Sequence, residues 1–485
     1  MNFGYKKIYI DGTLRDASSG RREKQICPGT GETIAELAWA GAADANAALE
    51  SARDAFLSWS SLSHKDRRNW IKCLRDAVLA RGDELRSAVM YEMGKPWDAT
   101  AEDLQSLLDA LEFYPRAVAE MKEIELADSD PSFSHRIVSR PVGVVVAILA
   151  WNFPLLNIGF KLGPALASGC TIVLKPSEKS AVSAYLLGEI AASVNFPKGV
   201  FNIICGSPKE VGEALSTSKI PRLLTMIGSS AVGRKLMAQG STSVKRMSME
   251  LGGNAPAIVF EDADLHKAAK DIAALKFGNA GQICVSPNRI YVHQSVIAEF
   301  LKLLKQEAAQ VYVGFGEGTN ATMGPLIDEG ARSRVMGLVR EALESGATLL
   351  QGGKIPENMP KGYFYEPTIL SDVKETMRIS CDETFGPVAA VRAFLTEEEV
   401  IAAANKTDYG LVAYAYTKDR DRTERLAASL EFGEVMLNGF KWGINLPHGG
   451  IKESGVGKDC SILALDDYLV KIRITSFQTA PVSTT

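Results

Sequence analysis

The sequence predicts an α/β fold of two lobes, each built on a mainly parallel sheet, and three observations carry that reading. From residue 142 onward, short runs rich in β-branched residues alternate with helix-length segments, which is the pattern of βαβ units. The alternation pauses at Gly252 and Gly253 and then restarts, giving a second α/β unit and a cleft between the two. The chain has 485 residues, 46% of them apolar, enough for several domain-sized cores and too apolar for a disordered chain.

The elements follow in order. Residues 42–59, 65–81 and 83–93 space their apolar side chains near 3.6 and read as helices, with Ser63 and Asp83 as N-caps. A turn at 128–131 leads to 134–139, whose alternation suggests an edge strand or hairpin. Residues 142–150 form a buried parallel strand, and Pro154 opens a helix over 155–167. Strand 171–174, helix 180–192, strands 199–204 and 223–227, helix 229–238 and strand 247–251 complete the first lobe. After the glycine hinge come strand 257–260, helix 263–279, strand 289–292, strand 388–394, helix 397–405, strand 412–416 and helix 420–430. The uncharged run 141–160 is about as long as a bilayer span, but its β-branched first half, Pro154, Asn152 and Asn157 divide it into a strand and a helix. Open α/β sheets bind ligands beyond the carboxyl ends of their strands, so the site is sought there.

Composition narrows the function. Lys plus Arg is 54 against 58 for Asp plus Glu, a net charge of −4, which lacks the electrostatic footprint of a nucleic-acid binder. Residues 1–25 hold no long apolar stretch of a secretory signal, and the seven cysteines form no C-x-x-C pair. Free thiols in a reducing, cytoplasmic setting are expected, with Cys73, Cys170, Cys205 and Cys460 as inert core residues. Five scattered histidines without H-E-x-x-H predict no metal site. The only low-complexity tract is the tail, 479–485.

The six-residue glycine fingerprint of dinucleotide folds is absent; the glycines at 314, 316 and 318 open no helix and read as a surface loop. A better anion site is Gly228 to Gly233 after strand 223–227, where a helix starting at Ser229 would aim N–H groups at a phosphate. Lys175 and Glu178, flanking Pro176 and Ser177, close a strand with a cation and a carboxylate suited to ribose hydroxyls. Cys284 lies in a Gly/Asn/Gln loop with amides nearby, unlike the other cysteines. Glu250 ends a strand among apolar residues, where desolvation raises a carboxyl towards general-base range. Asn152, between Trp151 and Phe153, is an amide donor at a strand end.

Together these segments resemble the NAD(P)-dependent aldehyde dehydrogenase superfamily. The resemblance rests on Trp-Asn-Phe-Pro at 151–154, Lys-Pro-Ser-Glu at 175–178, Gly-Ser-x3-Gly at 228–233 and Met-Glu-Leu-Gly-Gly at 249–253. It continues in Gly-Gln-Ile-Cys at 281–284, Glu-x-Phe-Gly-Pro at 383–387 and the Gly-Gly-x-Lys-x-Ser-Gly-x-Gly run at 449–457, in matching order over nearly the whole chain. It implies a Rossmann-like cofactor domain (1–123 and 142–252), an α/β catalytic domain (253–446), a return segment (447–467) and a small β oligomerisation extension (124–141 and 468–485) that makes homodimers or homotetramers. It implies Cys284 as the nucleophile, an oxyanion hole from the Asn152 amide and the Cys284 N–H, and Glu250 as the base that activates water for thioester hydrolysis. The cofactor is expected to be NAD, with NADP the alternative. Trp151, Lys175, Ser177, Glu178, Gly228, Ser229, Gly233, Leu251, Gly252, Glu383 and Phe385 are its expected contacts, and a small-molecule aldehyde is the expected partner. A crystallin-like non-catalytic member is disfavoured by the presence of all three catalytic residues, and a CoA-acylating or phosphorylating member by Glu250.

Some positions depart from the family pattern. Ile227 replaces a hydroxyl-bearing residue, and His448 stands where many members have Phe, a variant that with Gly457 to Asp459 is similar to aminobutyraldehyde-type members. Where succinic-semialdehyde members typically carry two arginines, this chain has Phe160 and Gly278. The stretches 280–289 and 386–391 look like ketoglutaric-semialdehyde members, and Lys441 is a candidate substitute cation. Phe160, Phe440 and Trp442 are expected to line a mainly apolar tunnel, which predicts an uncharged or aromatic-tolerant aldehyde, with a semialdehyde as the alternative.

Overall fold

The computed structural model describes residues 1–477. The rest of the expected oligomerisation segment, 478–485, and the whole low-complexity tail lie outside the described residues.

Five parallel strands form the heart of the first lobe, in the order Arg246–Glu250, Leu223–Ile227, Val144–Ile148, Thr171–Lys175 and Phe201–Ile203. Almost every side chain in them is buried, because helices cover both faces and no strand alternates between core and water. The strand order reverses beside Val144–Ile148, which pairs with the next strand in sequence on one side and with Leu223–Ile227 on the other. Such a switch point leaves a crevice at the carboxyl ends. Trp151 and Asn152 follow one of these strands and Gly228 follows the other.

The second lobe holds a seven-stranded sheet, with Thr348–Gln351, Thr368–Ser371, Val388–Phe394, Pro287–His293, Ala255–Val259, Val412–Tyr416 and Glu434–Leu437 as neighbours. All pairs are parallel except the first. The chain crosses from Arg246–Glu250 to Ala255–Val259 through four residues, so the first sheet turns its carboxyl ends to the cleft and the second its amino ends. This corrects the expectation of carboxyl-end loops alone. Cys284, Glu383, Phe385 and Glu434 all stand before or at the start of second-lobe strands.

The amino-terminal helices brace the first lobe. Helix Thr100–Glu120, absent from the sequence reading, carries Pro115 in its interior and packs on Pro154–Ser168. Gly159 and Gly163 make that approach close: a Cβ on the first would lie 2.9 Å from the Leu107 Cα, and on the second 3.0 Å from the Ala110 carbonyl oxygen. Lys95 and Asp103 form a fully buried ion pair, and Asp103 also accepts from the Leu156 N–H at 3.3 Å, capping the helix that follows Trp-Asn-Phe-Pro. Lys95 further stacks its ammonium 3.4 Å from the centre of the Phe153 ring.

A three-stranded antiparallel sheet joins Ile124–Leu126, Phe133–Pro141 and Leu469–Phe477. Phe133–Pro141 is its central strand, not an edge strand, because Leu469–Phe477 pairs with it over nine residues. Asp83 is not an N-cap: helix Gly82–Met93 starts directly after the previous one, with Arg81 at its cap. Ser63 does cap its helix, accepting from the Asp66 N–H. Cys73 is exposed on the outer face of helix His64–Ala80, contrary to its expected core position, whereas Cys170, Cys205 and Cys460 are buried. The run 141–160 is a strand followed by a helix start, and no helix among the described residues is long and apolar enough to cross a membrane.

Candidate active site

The loop carrying Cys284 is held in an unusual backbone path. Asn279 and Ala280 have φ of 49° and 54°, and Gly281 has φ of 70° with a notional Cβ only 2.1 Å from the Gly386 carbonyl oxygen. Only glycine fits there. Gln282 is buried and staples the loop: its Nε2 donates to the Asn279 and Pro325 carbonyls at 3.0 and 3.2 Å, and its Oε1 accepts from the Ile327 N–H at 2.9 Å. The Val285 carbonyl accepts from the Tyr414 hydroxyl at 2.7 Å. The result is a half-buried Cys284 at a fixed position above the second sheet.

Asn152 meets this loop from the first lobe. Its Nδ2 donates to the Gln282 carbonyl at 3.1 Å, and the Asn279 Nδ2 donates to the Asn152 carbonyl at 3.1 Å. The structure therefore brings Asn152 beside the residues that precede Cys284. Gly253 allows the same convergence: a Cβ there would sit 2.3 Å from the Cys284 carbonyl oxygen.

Glu250 is buried with neither carboxylate oxygen hydrogen-bonded. Burial pushes its carboxyl up to about 8, with His448, Lys161 and Lys458 pulling it back and Asp459 pushing the same way. The Gly449 backbone lies against its Oε1, where a Cβ would be 2.5 Å away. Beside it Lys161 and Asp459 form a buried ion pair at 2.6 Å, which sequence reasoning missed because 298 residues separate them.

The expected cofactor contacts run along the carboxyl edge of the first sheet. Lys175 is buried and stands 3.7 Å from the Glu178 carboxylate, and Ser177 accepts from the Lys179 N–H at 3.2 Å. Helix Ser230–Gly240 starts one residue later than expected, with Ser229 as its cap accepting from Val232 N–H. The Gly228 N–H is no free donor, since it bonds the Glu250 carbonyl at 2.9 Å to close the sheet end. Gly233 admits Leu251, which otherwise would meet a Cβ at 2.7 Å. At the cleft itself Glu383 accepts from the Gly253 N–H at 3.0 Å, lies against Gly252, and is pushed up to about 7 by burial. Phe385, at φ of 44°, meets Trp151 edge-on at 5.4 Å, so one candidate contact from each lobe touches the other.

The three expected substrate residues surround a polar pair. Phe440 and Trp442 meet at a tilt with ring centres 5.2 Å apart, and Phe160 lies 6.5 Å from the His448 ring. Trp442 Nε1 donates to Glu434 Oε2 at 3.2 Å, and His448 Nδ1 is 2.7 Å from Glu434 Oε1. The wall is thus half polar and not mainly apolar. Glu434 was missed by sequence reasoning; a lone acid at the start of the apolar run 435–437 is the signal that marks it. Among the described residues no cluster of potential metal ligands occurs.

The sequence profile of the Aldehyde dehydrogenase family matches residues 14–472. Glutarate-semialdehyde dehydrogenase of Pseudomonas aeruginosa is 40% identical over 96% of both chains. Succinate-semialdehyde dehydrogenase (NADP(+)) GabD of Escherichia coli is 38% identical, covering 96% of this chain and 97% of that one. Aminoaldehyde dehydrogenase 1, peroxisomal, of Pisum sativum is 35% identical over 97% and 96%. Among solved structures, a succinate-semialdehyde dehydrogenase from Burkholderia pseudomallei superposes with a TM-score of 0.95 at 38% identity, and an NADP-dependent enzyme of E. coli with 0.95 at 37%, each over 98% of both chains.

Proposed function

We propose a mechanism and a substrate class for this chain, which belongs to the aldehyde dehydrogenase family and is an NAD(P)-dependent enzyme that oxidises an aldehyde. The Cys284 thiolate attacks the carbonyl carbon; the C–S bond forms as the carbonyl π-bond becomes an oxyanion, which the Asn152 amide and the Cys284 N–H stabilise. The bound dinucleotide supplies the acceptor for the hydride that leaves this carbon, and a thioester remains on Cys284. Glu250 takes a proton from water, the hydroxide adds to the thioester, and collapse releases the carboxylic acid and the Cys284 thiolate. The observations that support this reading are an amide hydrogen-bonded to the loop that leads into a half-buried cysteine, and a buried carboxylate whose two oxygens lack a partner.

The donor set along the first sheet fits a dinucleotide. Lys175 and Glu178 would hold the adenine-side ribose, Ser229 to Gly233 the pyrophosphate at a helix start, and Glu383, Phe385 and Trp151 the nicotinamide side. NAD is the favoured partner, because a 2′-phosphate on that ribose would meet the Glu178 carboxylate. The named relatives favour NADP as the second reading. Residues 1–123 with 142–252 form the cofactor domain and 253–446 the catalytic domain. The sheet of Ile124–Leu126, Phe133–Pro141 and Leu469–Phe477 makes homo-oligomers; Ile124, Leu126, Phe133 and Phe477 leave it with exposed apolar surface. Seven unpaired cysteines suit the cytoplasm.

The substrate is an uncharged or aromatic-tolerant aldehyde. Phe160, Phe440 and Trp442 offer apolar surface, and the two positions that would pair a substrate carboxylate hold Phe160 and Gly278. A semialdehyde is the second reading, favoured by the names of the relatives. A panel of benzaldehyde, aminobutyraldehyde and succinic semialdehyde, read by NAD(P)H absorbance, tests both. The uncharged and aromatic members are expected to give the highest kcat/KM, and a strong preference for succinic semialdehyde overturns the substrate assignment. Cys284→Ser should abolish NAD(P)H formation with every aldehyde; undiminished turnover would overturn the mechanism.

A further inference from the structure

Lys276 lies in the last turn of helix Leu265–Phe277 and is fully buried. A lysine there can serve the negative end of the helix from the surface, so one that gives up water needs another reason. Among the described residues its ammonium has one hydrogen-bond partner, the Asn288 Oδ1 at 2.7 Å. An ammonium only donates, so Lys276 fixes which end of the Asn288 amide faces it and turns Nδ2 the other way. That Nδ2 donates to the Gly253 carbonyl at 3.4 Å. The N–H of the same glycine donates to Glu383 Oε1 at 3.0 Å, and Gly252 lies against Oε2, where a Cβ would be 2.8 Å away. Lys276, Asn288, Gly253 and Glu383 thus form one chain of contacts through the crossing between the two sheets. Both ends of the chain feel each other's charge. Burial draws the ammonium down to about 7 and Glu383 opposes this, while Arg334 and Lys276 oppose the burial that raises Glu383.

We propose that Lys276 is a positioning residue for the dinucleotide: through Asn288 it holds the Gly252–Gly253 crossing, and thereby sets the Glu383 carboxylate for the nicotinamide end. The inference rests on Glu383 being a nicotinamide-side contact. Without the ammonium the Asn288 amide is free to turn. Its oxygen then faces the Gly253 carbonyl, two acceptors repel, and the glycine whose N–H supports Glu383 shifts. Gly253 has little freedom elsewhere, because a Cβ on it would lie 2.3 Å from the Cys284 carbonyl oxygen. The adenine end is expected at Lys175, Glu178 and the start of helix Ser230–Gly240, none of which belongs to this chain of contacts. Loss of Lys276 therefore weakens one end of the dinucleotide and spares the other.

The test titrates the full chain with NADH and, separately, with ADP, which lacks the nicotinamide end, each followed by protein fluorescence. Lys276→Met keeps the length of the side chain and removes the donor. It should weaken NADH binding about fivefold or more while ADP affinity stays within about twofold. Glu383→Gln should weaken NADH alike, and adding Lys276→Met to it should cost no more than about twofold further, because both act through one carboxylate. If Lys276→Met does not fold, Lys276→Met/Asn288→Leu carries the same expectation, since neither side chain is then left unpaired. Unchanged NADH affinity in a folded Lys276 variant, an equal loss for ADP, or full additivity with Glu383→Gln would overturn the proposal. Unchanged NADH affinity in Glu383→Gln would remove Glu383 from the cofactor site and this inference with it. Weakening in Glu383→Gln without weakening in Lys276→Met sinks this inference alone.

Discussion

Replacing Glu250 by glutamine removes a charge while keeping the shape, and its consequences can be worked out for both stability and turnover. In the folded protein the carboxyl keeps its proton up to about pH 8, because burial leaves the anion without a hydrogen-bond donor. In the unfolded chain it ionises near its ordinary 4.5. Between these values the folded state binds more protons, so this group makes the wild type less stable as pH rises through that window, and the loss is complete just above pH 8. The displacement of about 3.5 units, which already includes the pull of His448, sets an upper limit of roughly 5 kcal/mol at ~1.4 kcal/mol per unit, and about 2–5 kcal/mol is taken as the range. With an unfolding entropy of ~2.1 cal/mol/K per residue, a chain of this length shifts its Tm by about 1 °C per kcal/mol. The Tm of Glu250→Gln minus that of wild type, scanned at one rate, should therefore grow by about 2–5 °C between pH 5 and 9. Stopped-flow absorbance should show one equivalent of NAD(P)H per Cys284 in a burst, followed by turnover reduced about 10²–10⁴-fold as the thioester waits for water. A Tm difference that does not change with pH would show that the carboxyl is already ionised at neutral pH, and undiminished steady-state turnover would remove Glu250 from hydrolysis.

Three further perturbations test the frame around the site. Lys95→Met strands Asp103 as an unpaired buried charge and should cost about 3–5 kcal/mol in thermal or denaturant unfolding, with much of it recovered in Lys95→Met/Asp103→Leu. Gly281→Ala places a Cβ against the Gly386 carbonyl at a φ of 70°; the loop must shift, and kcat should fall at least about tenfold while far-UV circular dichroism is unchanged. Glu178→Ala removes the carboxylate beside Lys175, so the ratio of kcat/KM with NADP to that with NAD should rise at least about tenfold, and an unchanged ratio would mean that Glu178 faces away from the ribose.

Parts of this architecture are legible in the sequence because their cause is local. Leu223–Ile227, Val388–Phe394 and Val412–Tyr416 lie where the apolar runs place them, since a strand buried on both faces must be apolar throughout. Ser63 and Ser229 act as caps in the positions that serine favours. Helix Thr100–Glu120 escaped because its interior Pro115 reads as a break, although tertiary packing on Gly159 and Gly163 carries the helix through it. The site residues Cys284, Glu250 and Asn152 stood out through their motifs, but the amino-end orientation of the second sheet did not, because it depends on the four-residue crossing between two sheets. Glu434 and His448 meet across 14 residues and Lys161 and Asp459 across 298, and no periodicity encodes such pairs.

Burial alone does not identify the reacting carboxylate, and the comparison of Glu250 with Glu92 shows what does. Both are buried and both are pushed up, to about 8 and about 7 respectively, chiefly by desolvation. Glu92 spends its oxygens on the first turn of helix Val182–Ser193, accepting from the Val182 N–H at 2.6 Å and from the Ser183 hydroxyl at 2.5 Å. Its burial is structural, since each lone pair is answered by a donor that the fold supplies. Glu250 has no such donor on either oxygen, although it lies against the Gly449 backbone and within reach of the charge of His448. A desolvated acid kept without partners costs stability unless something outside the chain completes it, and a water molecule arriving to hydrolyse a thioester supplies the missing donor. The same reasoning separates Glu434 from Glu250: its oxygens are filled by Trp442, His448 and Gly449, so it is satisfied within the fold and orients the imidazole.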